Sequence, residues 1–188
     1  YHVVLDYGLK LMQRLWSMGK RSNFERKTRD FYPTPIEAVE PLLPHLSEGF
    51  KFAEPCAGNG ALIEHLETKG VCMWASDIEP QAEGIHKSSY DKIGFDEFIK
   101  LDFIITNPPW DRKILHPMIA FFTLRKDTWL LFDSDWMHTK QSRIYMPYCR
   151  KIVSVGRIKW FGNMTGKDNC AWYLFSLETG PTEFVGRV

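Results

Sequence analysis

A short apolar run followed by an amide and two prolines is the part of this sequence best suited to chemistry. Residues 102–110 read Asp-Phe-Ile-Ile-Thr-Asn-Pro-Pro-Trp. The apolar side chains, set between a charged residue and two prolines, predict a buried parallel strand that stops just before Pro108. Asn107 would then lie at the carboxyl end of that strand, where open α/β sheets bind their ligands.

The turn that begins at Asn107 carries groups that could activate a planar amine. The exocyclic nitrogen of a purine or an amide is a poor nucleophile because its lone pair is delocalised. Two acceptors aimed at its N–H bonds favour a pyramidal nitrogen, and Asn107 offers its side-chain oxygen while Pro108 offers its backbone carbonyl. Consecutive prolines hold that carbonyl rigidly, and Trp110 is suited to stack on an extruded base. A purely structural Pro-Pro turn is the alternative interpretation.

A glycine loop follows the first predicted strand, which covers residues 51–55. An acid, a proline, two small residues and two glycines come in the order Glu54, Pro55, Cys56, Ala57, Gly58 and Gly60. The glycines permit positive φ and a close approach of the backbone to a ligand, and the helix predicted over residues 61–69 offers unpaired N–H groups. The third glycine of the dinucleotide fingerprint is missing, so no pyrophosphate is expected.

The second predicted strand, over residues 71–76, is followed by an acid. In nucleotide-binding α/β folds an acid at this point accepts hydrogen bonds from ribose hydroxyls, and Asp77 lies at about the right distance after the glycine loop. Ile78 would then lie against an adenine ring. Asp77 also precedes Glu79 and Pro80 and could cap a helix, so both roles stay open.

Residues 31–35 predict the beginning of a helix upstream of the first strand. Thr34 is placed as the N-cap, Pro35 at the first helical position, and Glu37 as the capping-box partner of Thr34. The helix is expected to continue as far as residue 43 or 46. Residues 3–18 have apolar side chains at helical spacing and predict a separate amphipathic helix, followed by a basic connector over residues 20–29.

These features, in this order, resemble the methyltransferases that use S-adenosylmethionine, above all the DNA adenine-N6 enzymes. The resemblance implies that the catalytic residues are Asn107, Pro108, Pro109 and Trp110. It implies that S-adenosylmethionine is bound by Tyr32, Thr34, Pro35, Glu54, Pro55, Cys56, Ala57, Gly58, Gly60, Asp77, Ile78, Asp91 and Asn107. The family contacts the methionine end of the cofactor through a Tyr-x-Thr-Pro element, found here at residues 32–35.

Two further stretches bear on the resemblance. The family carries a third strand with an acid near its end that faces the cofactor adenine, but residues 81–101 show no clear strand. Asp91 and Asp96 are both candidates for that acid. The sequence Ala-Trp-Tyr-Leu-Phe at residues 171–175 resembles the family's closing hairpin.

The alternation of strands and helices predicts an α/β fold with a mostly parallel sheet covered on both faces. The resemblance implies the Rossmann-like class I methyltransferase fold, with seven strands and the last one antiparallel. We expect an N-terminal helix and basic arm over residues 1–30 and a catalytic domain over residues 31–188, without a separate target-recognition domain. The resemblance is thus to the small, phage-type enzymes, and we expect loose sequence specificity.

The charge distribution favours a polynucleotide partner. The 188-residue chain has a net charge of only +1, but seven basic residues face a single acid between residues 10 and 29. Seven more, with no acid, lie between residues 140 and 167. The two ends of the chain could therefore form a basic face, although two solvated surfaces would give the same pattern.

Composition narrows the remaining possibilities. A hydrophobic content of 44% is ordinary for a globular domain, and no run predicts a membrane span or a secretory signal, so we expect a cytoplasmic protein of a prokaryotic or phage-infected cell. Cysteines and histidines show no metal-ligand spacing, and no metal is expected.

Several substrates and one non-enzymatic role stay open. Adenine N6 in DNA is the first choice, followed by adenine in RNA or cytosine N4 in DNA. A glutamine amide in a protein comes third, because related enzymes that act on it usually have Tyr in place of Trp110. A catalytically silent subunit that binds nucleic acid is the remaining alternative, and the N-terminal helix could contact a second copy or a partner subunit.

Overall fold

A computed structural model describes residues 33–160 and 169–187 of the chain. The predicted helix of residues 3–18, the basic connector of residues 20–29 and Tyr32 lie outside the described residues. The same is true of residues 161–168, which belong to a predicted polar loop. The expected division at residue 30 is therefore not visible, and the description below concerns the remainder of the chain.

A single sheet organises the described part of the chain. Its strands are β1 (Lys51–Glu54), β2 (Val71–Asp77), β3 (His86–Lys87), β4 (Phe103–Thr106), β5 (Thr128–Asp133), β6 (Cys149–Arg157), β7 (Asn169–Phe175) and β8 (Glu183–Val185). Their spatial order is β3-β2-β1-β4-β5-β7-β6-β8. The first five strands in this spatial order, β3, β2, β1, β4 and β5, pair in parallel. Strand β7 is antiparallel to both of its neighbours, β5 and β6.

The sheet has eight strands, one more than the seven expected. The additional strand, β8, pairs in parallel with the outer edge of β6. An ion pair of 3.0 Å between Lys151 and Glu183 and a hydrogen bond of 2.7 Å from the Thr182 hydroxyl to the Cys149 carbonyl hold it there. A strand of three residues gives almost no periodic signal, which is why the sequence did not predict it.

The third strand is present, although residues 81–101 show no clear strand pattern in the sequence. It consists of the two residues of β3, which pair in parallel with the end of β2. The connection from β2 is only residues 78–85 and contains no helix. So short a strand cannot show an alternating pattern, and pairing to β2 alone defines it.

The helices are α1 (Ile36–Val39), α2 (Ala61–Leu66), α3 (Phe95–Lys100) and α4 (Arg112–Thr123). The predicted capping of α1 is wrong, since Pro35 is its N-cap residue and no side chain caps it. The helix also ends earlier than predicted. Pro41 has no N–H, and the conformation of the residue before it is restricted, so the helix stops at Val39 and the chain continues as turns and a 3₁₀ helix at Leu43–His45.

The two faces of the sheet are buried by different helices. On one face α1 and α2 pack against a core that includes Phe52, Trp129 and Trp172. On the other, α4 packs on Leu130 and Phe132, and the ring of Phe132 stacks on Tyr173 at 4.2 Å. Neighbouring residues of β5 therefore point into opposite cores, which explains why this strand reads as a continuous apolar run.

A hydrogen bond ties α1 to the sheet. The indole Nε1 of Trp172, fully buried in β7, donates to the carbonyl of Ala38 at 2.7 Å. This contact joins residues 134 positions apart and fixes the segment that enters α1. In the described part of the chain, no helix is long and apolar enough to cross a membrane.

Trp172→Phe tests this contact. The substitution keeps an aromatic ring but leaves the buried Ala38 carbonyl without a donor, which should lower the free energy of unfolding by about 1–3 kcal/mol in urea titrations. Trp74→Phe is the matched control, because the Trp74 Nε1 has no hydrogen-bond partner to lose. Equal losses in the two variants would show that the hydrogen bond is not the cause.

Candidate active site

The carboxyl ends of three neighbouring parallel strands bring the polar residues of the candidate site together. Glu54 ends β1 and is in register with Ala75 of β2, while Ala53 is in register with Ile104 of β4. Glu54, Asp77 and Asn107 therefore lie at the same edge of the sheet, although the chain separates them widely. This is the arrangement that the sequence predicted.

The glycine loop lies across the end of β2. The Ala57 N–H donates to the Ser76 carbonyl at 3.0 Å, and the Gly58 N–H donates to Oδ2 of Asp77 at 2.9 Å. Gly58 and Gly60 have φ of 52° and 84°, which are left-handed values that favour glycine. The loop therefore presents backbone, without side chains at these two positions, beside the Asp77 carboxylate.

Asp77 has both structural contacts and free acceptor capacity. Its Oδ1 accepts from the Glu79 N–H at 2.7 Å, in addition to the bond from Gly58. Because no helix follows in residues 78–85, this contact is a local turn and the helix-capping interpretation is wrong. A carboxylate has about four acceptor positions, so room remains for ligand hydroxyls. The neighbouring Ile78 is 74% exposed, an apolar side chain that a planar ring could cover.

Glu54 is the most perturbed acid of the site. It is only 1% exposed, its Oε1 accepts from the Cys56 N–H at 3.2 Å, and its Oε2 has no hydrogen-bond partner. Burial raises the pKa of Glu54 to about 8, and the negative charge of Asp77 adds to the effect. The nearby Thr106 hydroxyl and the Cys56 N–H offset only part of it. Glu54 is therefore mostly protonated near neutral pH.

Unpartnered polar atoms collect around this carboxyl group. The buried hydroxyls of Ser76, near the end of β2, and Thr106, at the end of β4, also have no partner in hydrogen-bonding geometry, although Thr106 lies close enough to Glu54 to lower its pKa. Buried polar groups are nearly always paired, so three unpaired ones on adjacent strand ends indicate a place for a polar ligand. A ligand that brings N–H or O–H donors fits this set.

The Asn107 amide is held from both sides. Its Nδ2 donates to Oγ1 of Thr34 at 3.1 Å, and its Oδ1 accepts from the indole Nε1 of Trp110 at 3.4 Å. The indole N–H can only donate a hydrogen bond, so it must face the oxygen of the Asn107 amide, and this determines the orientation of the amide group. Thr34 is 5% exposed, and its hydroxyl holds Asn107 instead of capping α1. The sequence missed this contact because the two residues are 73 positions apart.

The remaining residues of the turn are packed into the protein. Pro108 is buried, and the Trp110 ring lies edge-on to Trp160 with centroids 5.9 Å apart and an interplanar angle of 83°. Asp111 caps α4 by accepting from the Lys113 N–H at 3.0 Å. Trp160 was not predicted as a site residue, and only its aromatic character shortly after a predicted strand could have suggested it.

The two candidate acids after β3 differ in position. Asp91 lies in the 3₁₀ turn Tyr90–Lys92, and a hydrogen bond from Ser88 N–H to the Asp77 carbonyl holds the preceding residues beside β2. A hydrogen bond from the Ser89 side chain lowers the pKa of Asp91, which also pairs with Lys92 at 3.5 Å. Asp96 is exposed in the first turn of α3. Asp91 is also exposed, so burial does not distinguish the two acids, and both remain candidates for the acid that faces the cofactor adenine.

The described residues offer neither a metal centre nor a reactive cysteine at this site. No group of three His, Cys, Asp or Glu side chains is arranged to hold a metal ion. The Cys56 thiol lies next to Glu54, and burial raises its pKa, so it is protonated and unsuited to act as a nucleophile.

Comparison with known proteins identifies the fold. No protein-family model matches the sequence, and no curated protein does. Among solved structures, a protein from Pyrococcus horikoshii described as an RNA methyltransferase is 14% identical, with a TM-score of 0.55 over 91% of this chain and 97% of that one. The E. cuniculi Mtq2–Trm112 complex, responsible for methylation of the eRF1 translation termination factor, gives 13% identity and a TM-score of 0.56 over 79% of this chain and 100% of that one.

A third structure is similar over almost the whole sequence. It is described as a modification subunit of a type I restriction enzyme from Vibrio vulnificus, is 11% identical, and has a TM-score of 0.53 over 98% of this chain and 51% of that one. At such identities the similarity concerns the fold alone. The described chain has the Rossmann-like α/β fold found in methyltransferases.

Burial of the Glu54 carboxyl group should make the stability of the folded protein depend on pH. An unfolded glutamate ionises near pH 4.3, whereas folding raises the pKa of Glu54 to about 8. The folded protein therefore binds the proton more tightly, and the contribution of Glu54 to stability should be largest below pH 4.3 and lost as the pH rises to 8.

Glu54→Gln should remove this dependence, because the amide does not titrate. Urea unfolding at pH 5, 6.5 and 8 should show the variant gaining stability relative to the wild type at each step. Glu64→Gln, at an exposed glutamate of α2, is the control and should follow the wild type. If the difference in free energy of unfolding between Glu54→Gln and the wild type stays constant over this range, the pKa of Glu54 is not raised by folding.

Proposed function

We propose that this protein transfers a methyl group from S-adenosylmethionine to the exocyclic N6 amine of adenine in DNA. The observation that carries the proposal is the Asn107 amide, which Thr34 and Trp110 hold at the edge of the sheet. On the same edge, the Glu54 carboxyl group still lacks a partner for one oxygen. The fold, which is found in methyltransferases that act on several substrates, is consistent with this reaction.

The residues present fit S-adenosylmethionine. The unpartnered oxygen of Glu54 is suited to the ammonium group, and Asp77 retains acceptor positions for the ribose hydroxyls. The exposed side chain of Ile78 is suited to the adenine ring, and we assign Asp91, the first acid of the sequence after β3, to the same end of the cofactor. Gly58 and Gly60 leave space for a close approach of the backbone.

The surrounding residues give this pocket its shape. Pro55 is buried beneath the glycine loop, and Cys56 and Ala57 hold the loop against Glu54 and Ser76 through their N–H groups. We assign Tyr32, Thr34 and Pro35 to the methionine end, on the strength of the motif. When bound, S-adenosylmethionine supplies an electrophilic methyl group on a sulfonium centre.

The chain's own task is to orient the target amine. The Asn107 Oδ1 would accept one N–H and the Pro108 carbonyl the other, which favours a pyramidal nitrogen with its lone pair directed away from both. The contact of Trp110 with Asn107 is long, at 3.4 Å, so an incoming amine can replace it. Pro109 keeps the turn rigid, and Trp110 is then available to stack on the base.

No side-chain base is required for the transfer. A methylated exocyclic amine spreads its positive charge into the ring and is therefore acidic, so its proton can leave to water after the transfer. Most of the catalytic effect would come from positioning. The active site then needs rigid acceptors, and the two prolines and the buried Thr34 hydroxyl hold Asn107 and the Pro108 carbonyl in place.

Two features of the sequence favour adenine in a polynucleotide over the alternatives. Trp110 offers a large aromatic face for a base, where glutamine-specific relatives usually have Tyr. The described segment after β5 also carries basic residues without an acid between residues 140 and 160, which suits a phosphate backbone better than a protein substrate.

The direct test is to incubate the protein and labelled S-adenosylmethionine with unmethylated duplex DNA, single-stranded DNA, RNA or a protein extract. Nucleoside mass analysis then identifies the methylated product. The proposal predicts N6-methyldeoxyadenosine. Label found only in RNA or only in protein would show that the proposed substrate is wrong and that the protein is still a methyltransferase. Absence of label together with absence of cofactor binding would overturn the reaction and favour a silent subunit.

Asn107→Ala should nearly abolish turnover while leaving the affinity for S-adenosylmethionine close to unchanged, because the amide contacts the amine in the transition state. Asn169→Ala, at an exposed asparagine that begins β7, is the control and should keep wild-type turnover. Turnover of Asn107→Ala within a few-fold of the wild type would refute the assigned role.

Thr34→Val should slow turnover by roughly 10- to 100-fold, since a freed amide can rotate away from the productive orientation. The valine has nearly the same shape but cannot accept the Asn107 N–H, whereas Thr34→Ser keeps the hydroxyl and should restore most of the rate. Steady-state kinetics separate the effect, which should appear in kcat more than in the KM for S-adenosylmethionine. Equal rates for the valine and serine variants would exclude positioning through the hydroxyl.

A further inference from the structure

The direction of β6 places a basic corner of the protein at the same edge as Asn107. Because β5 and β6 are both antiparallel to β7, they run in the same direction. The carboxyl end of β6, with Arg157 and then Lys159, therefore lies at the edge where the parallel strands end. Sequence spacing alone could not show this, since residues 50 positions apart in the chain have no fixed relation.

A direct contact joins this corner to the candidate active site. Trp160, the residue after Lys159, packs edge-on against Trp110 with 5.9 Å between ring centroids. Both rings are partly exposed. The basic residues thus begin within one residue of an aromatic pair that adjoins the Asn107 turn.

A third cation reaches the same corner from β8. A Cβ built on Gly156 would lie 2.8 Å from Nη1 of Arg187, so the Arg187 side chain passes directly over β6 at that point. Arg157, Lys159 and Arg187 are all exposed. We call these three residues the β6–β8 cationic corner.

No acid of β6 or β8 neutralises the cationic corner, and Asp133, which ends β5 at the same edge, is separated from Gly156 by the intervening strand β7. β6 contains no Asp or Glu, and the single acid of β8, Glu183, lies at its other end, where it pairs with Lys151. With the described residues, none of the three cations forms an ion pair. Exposed cations beside partly exposed aromatic rings are a combination that binds single polynucleotide strands, through phosphates and stacked bases.

We infer that the β6–β8 cationic corner binds the phosphates of the polynucleotide strand whose base enters the Asn107 turn. The inference rests on the proposed function for its substrate class and adds the surface that holds the strand. Phosphate contacts fix the position of a strand without reading its sequence. A corner of this kind is therefore consistent with loose sequence specificity.

The chain offers a matched control for this surface. Lys51 begins β1 and Lys100 ends α3 just before β4, so both lie toward the opposite edge of the sheet, and both are exposed. Lys51→Gln/Lys100→Gln removes the same charge as Arg157→Gln/Lys159→Gln. Any difference between the two double variants therefore reports position and not net charge.

The experiment measures fluorescence anisotropy of labelled single-stranded oligonucleotides, one of DNA and one of RNA with the same sequence, over a range of salt concentrations. Two lost phosphate contacts should weaken binding of Arg157→Gln/Lys159→Gln by roughly 10- to 30-fold at 0.1 M salt. They should also reduce the slope of log K against log salt by about 1.4. Arg187→Gln should lose about half as much of the slope.

Each outcome decides the inference separately from the proposed reaction. Similar losses on DNA and RNA, with little change in Lys51→Gln/Lys100→Gln, support phosphate contacts at the cationic corner. Three results would refute phosphate contacts at the cationic corner. They are unchanged affinity in Arg157→Gln/Lys159→Gln, an equal loss of affinity in Lys51→Gln/Lys100→Gln, and a loss of affinity for only one of the two nucleic acids. The methyl-transfer assay tests the proposed reaction separately. If the wild-type protein methylates DNA but Arg157→Gln/Lys159→Gln binds as the wild type does, the reaction is supported and the cationic corner is refuted. If the variants lose binding as predicted but the wild-type protein transfers no methyl group, the cationic corner is supported and the reaction is refuted.

Discussion

Parallel pairing of β1, β2 and β4 is the constraint on which the rest of the structure depends. Each strand contributes one polar residue at its carboxyl end, and these residues meet only because the strands run in the same direction. Both faces of the sheet must be covered for such strands to be stable, which α1 and α2 do on one side and α3 and α4 on the other. The chemistry of the site is thus a consequence of how the core is packed.

The same packing leaves polar groups at the edge incompletely satisfied. Glu54 is buried with an unpaired oxygen, and two hydroxyls beside it also lack partners. Burial of this kind destabilises the protein and is tolerated because the surrounding apolar core is large. A ligand with donors would recover part of the lost free energy on binding. The Asn107 amide has the opposite character, since both of its polar atoms are engaged and its orientation is fixed.

Much of this architecture could be predicted from the sequence, because the strands that form it are apolar runs ended by proline, glycine or an acid. The positions of β1, β2 and β4 follow from such patterns. What the sequence could not supply were contacts between distant residues. Thr34 reads as a helix cap because Pro35 follows it, yet its hydroxyl is taken by Asn107.

The short strands failed for a different reason. β3 and β8 have two and three residues, which is too few for a periodic pattern, and only pairing with a neighbour defines them. Trp160 and the cationic corner depend on the direction of β6, which is set by antiparallel pairing with β7. Local residue patterns contain no information about that direction.

In the reaction that we propose, the unpaired carboxyl group at the end of β1 receives the cationic end of S-adenosylmethionine. Calorimetric titration of the cofactor near pH 6.5, in two buffers with different ionisation enthalpies, tests it most directly. Because burial raises the pKa of Glu54 to about 8, the carboxyl group is protonated before binding and ionised beside the ammonium group afterwards. We expect the wild-type protein to bind the cofactor with release of up to one proton per molecule, and Glu54→Gln to release none. Absence of binding, or equal proton release by the two proteins, would contradict it.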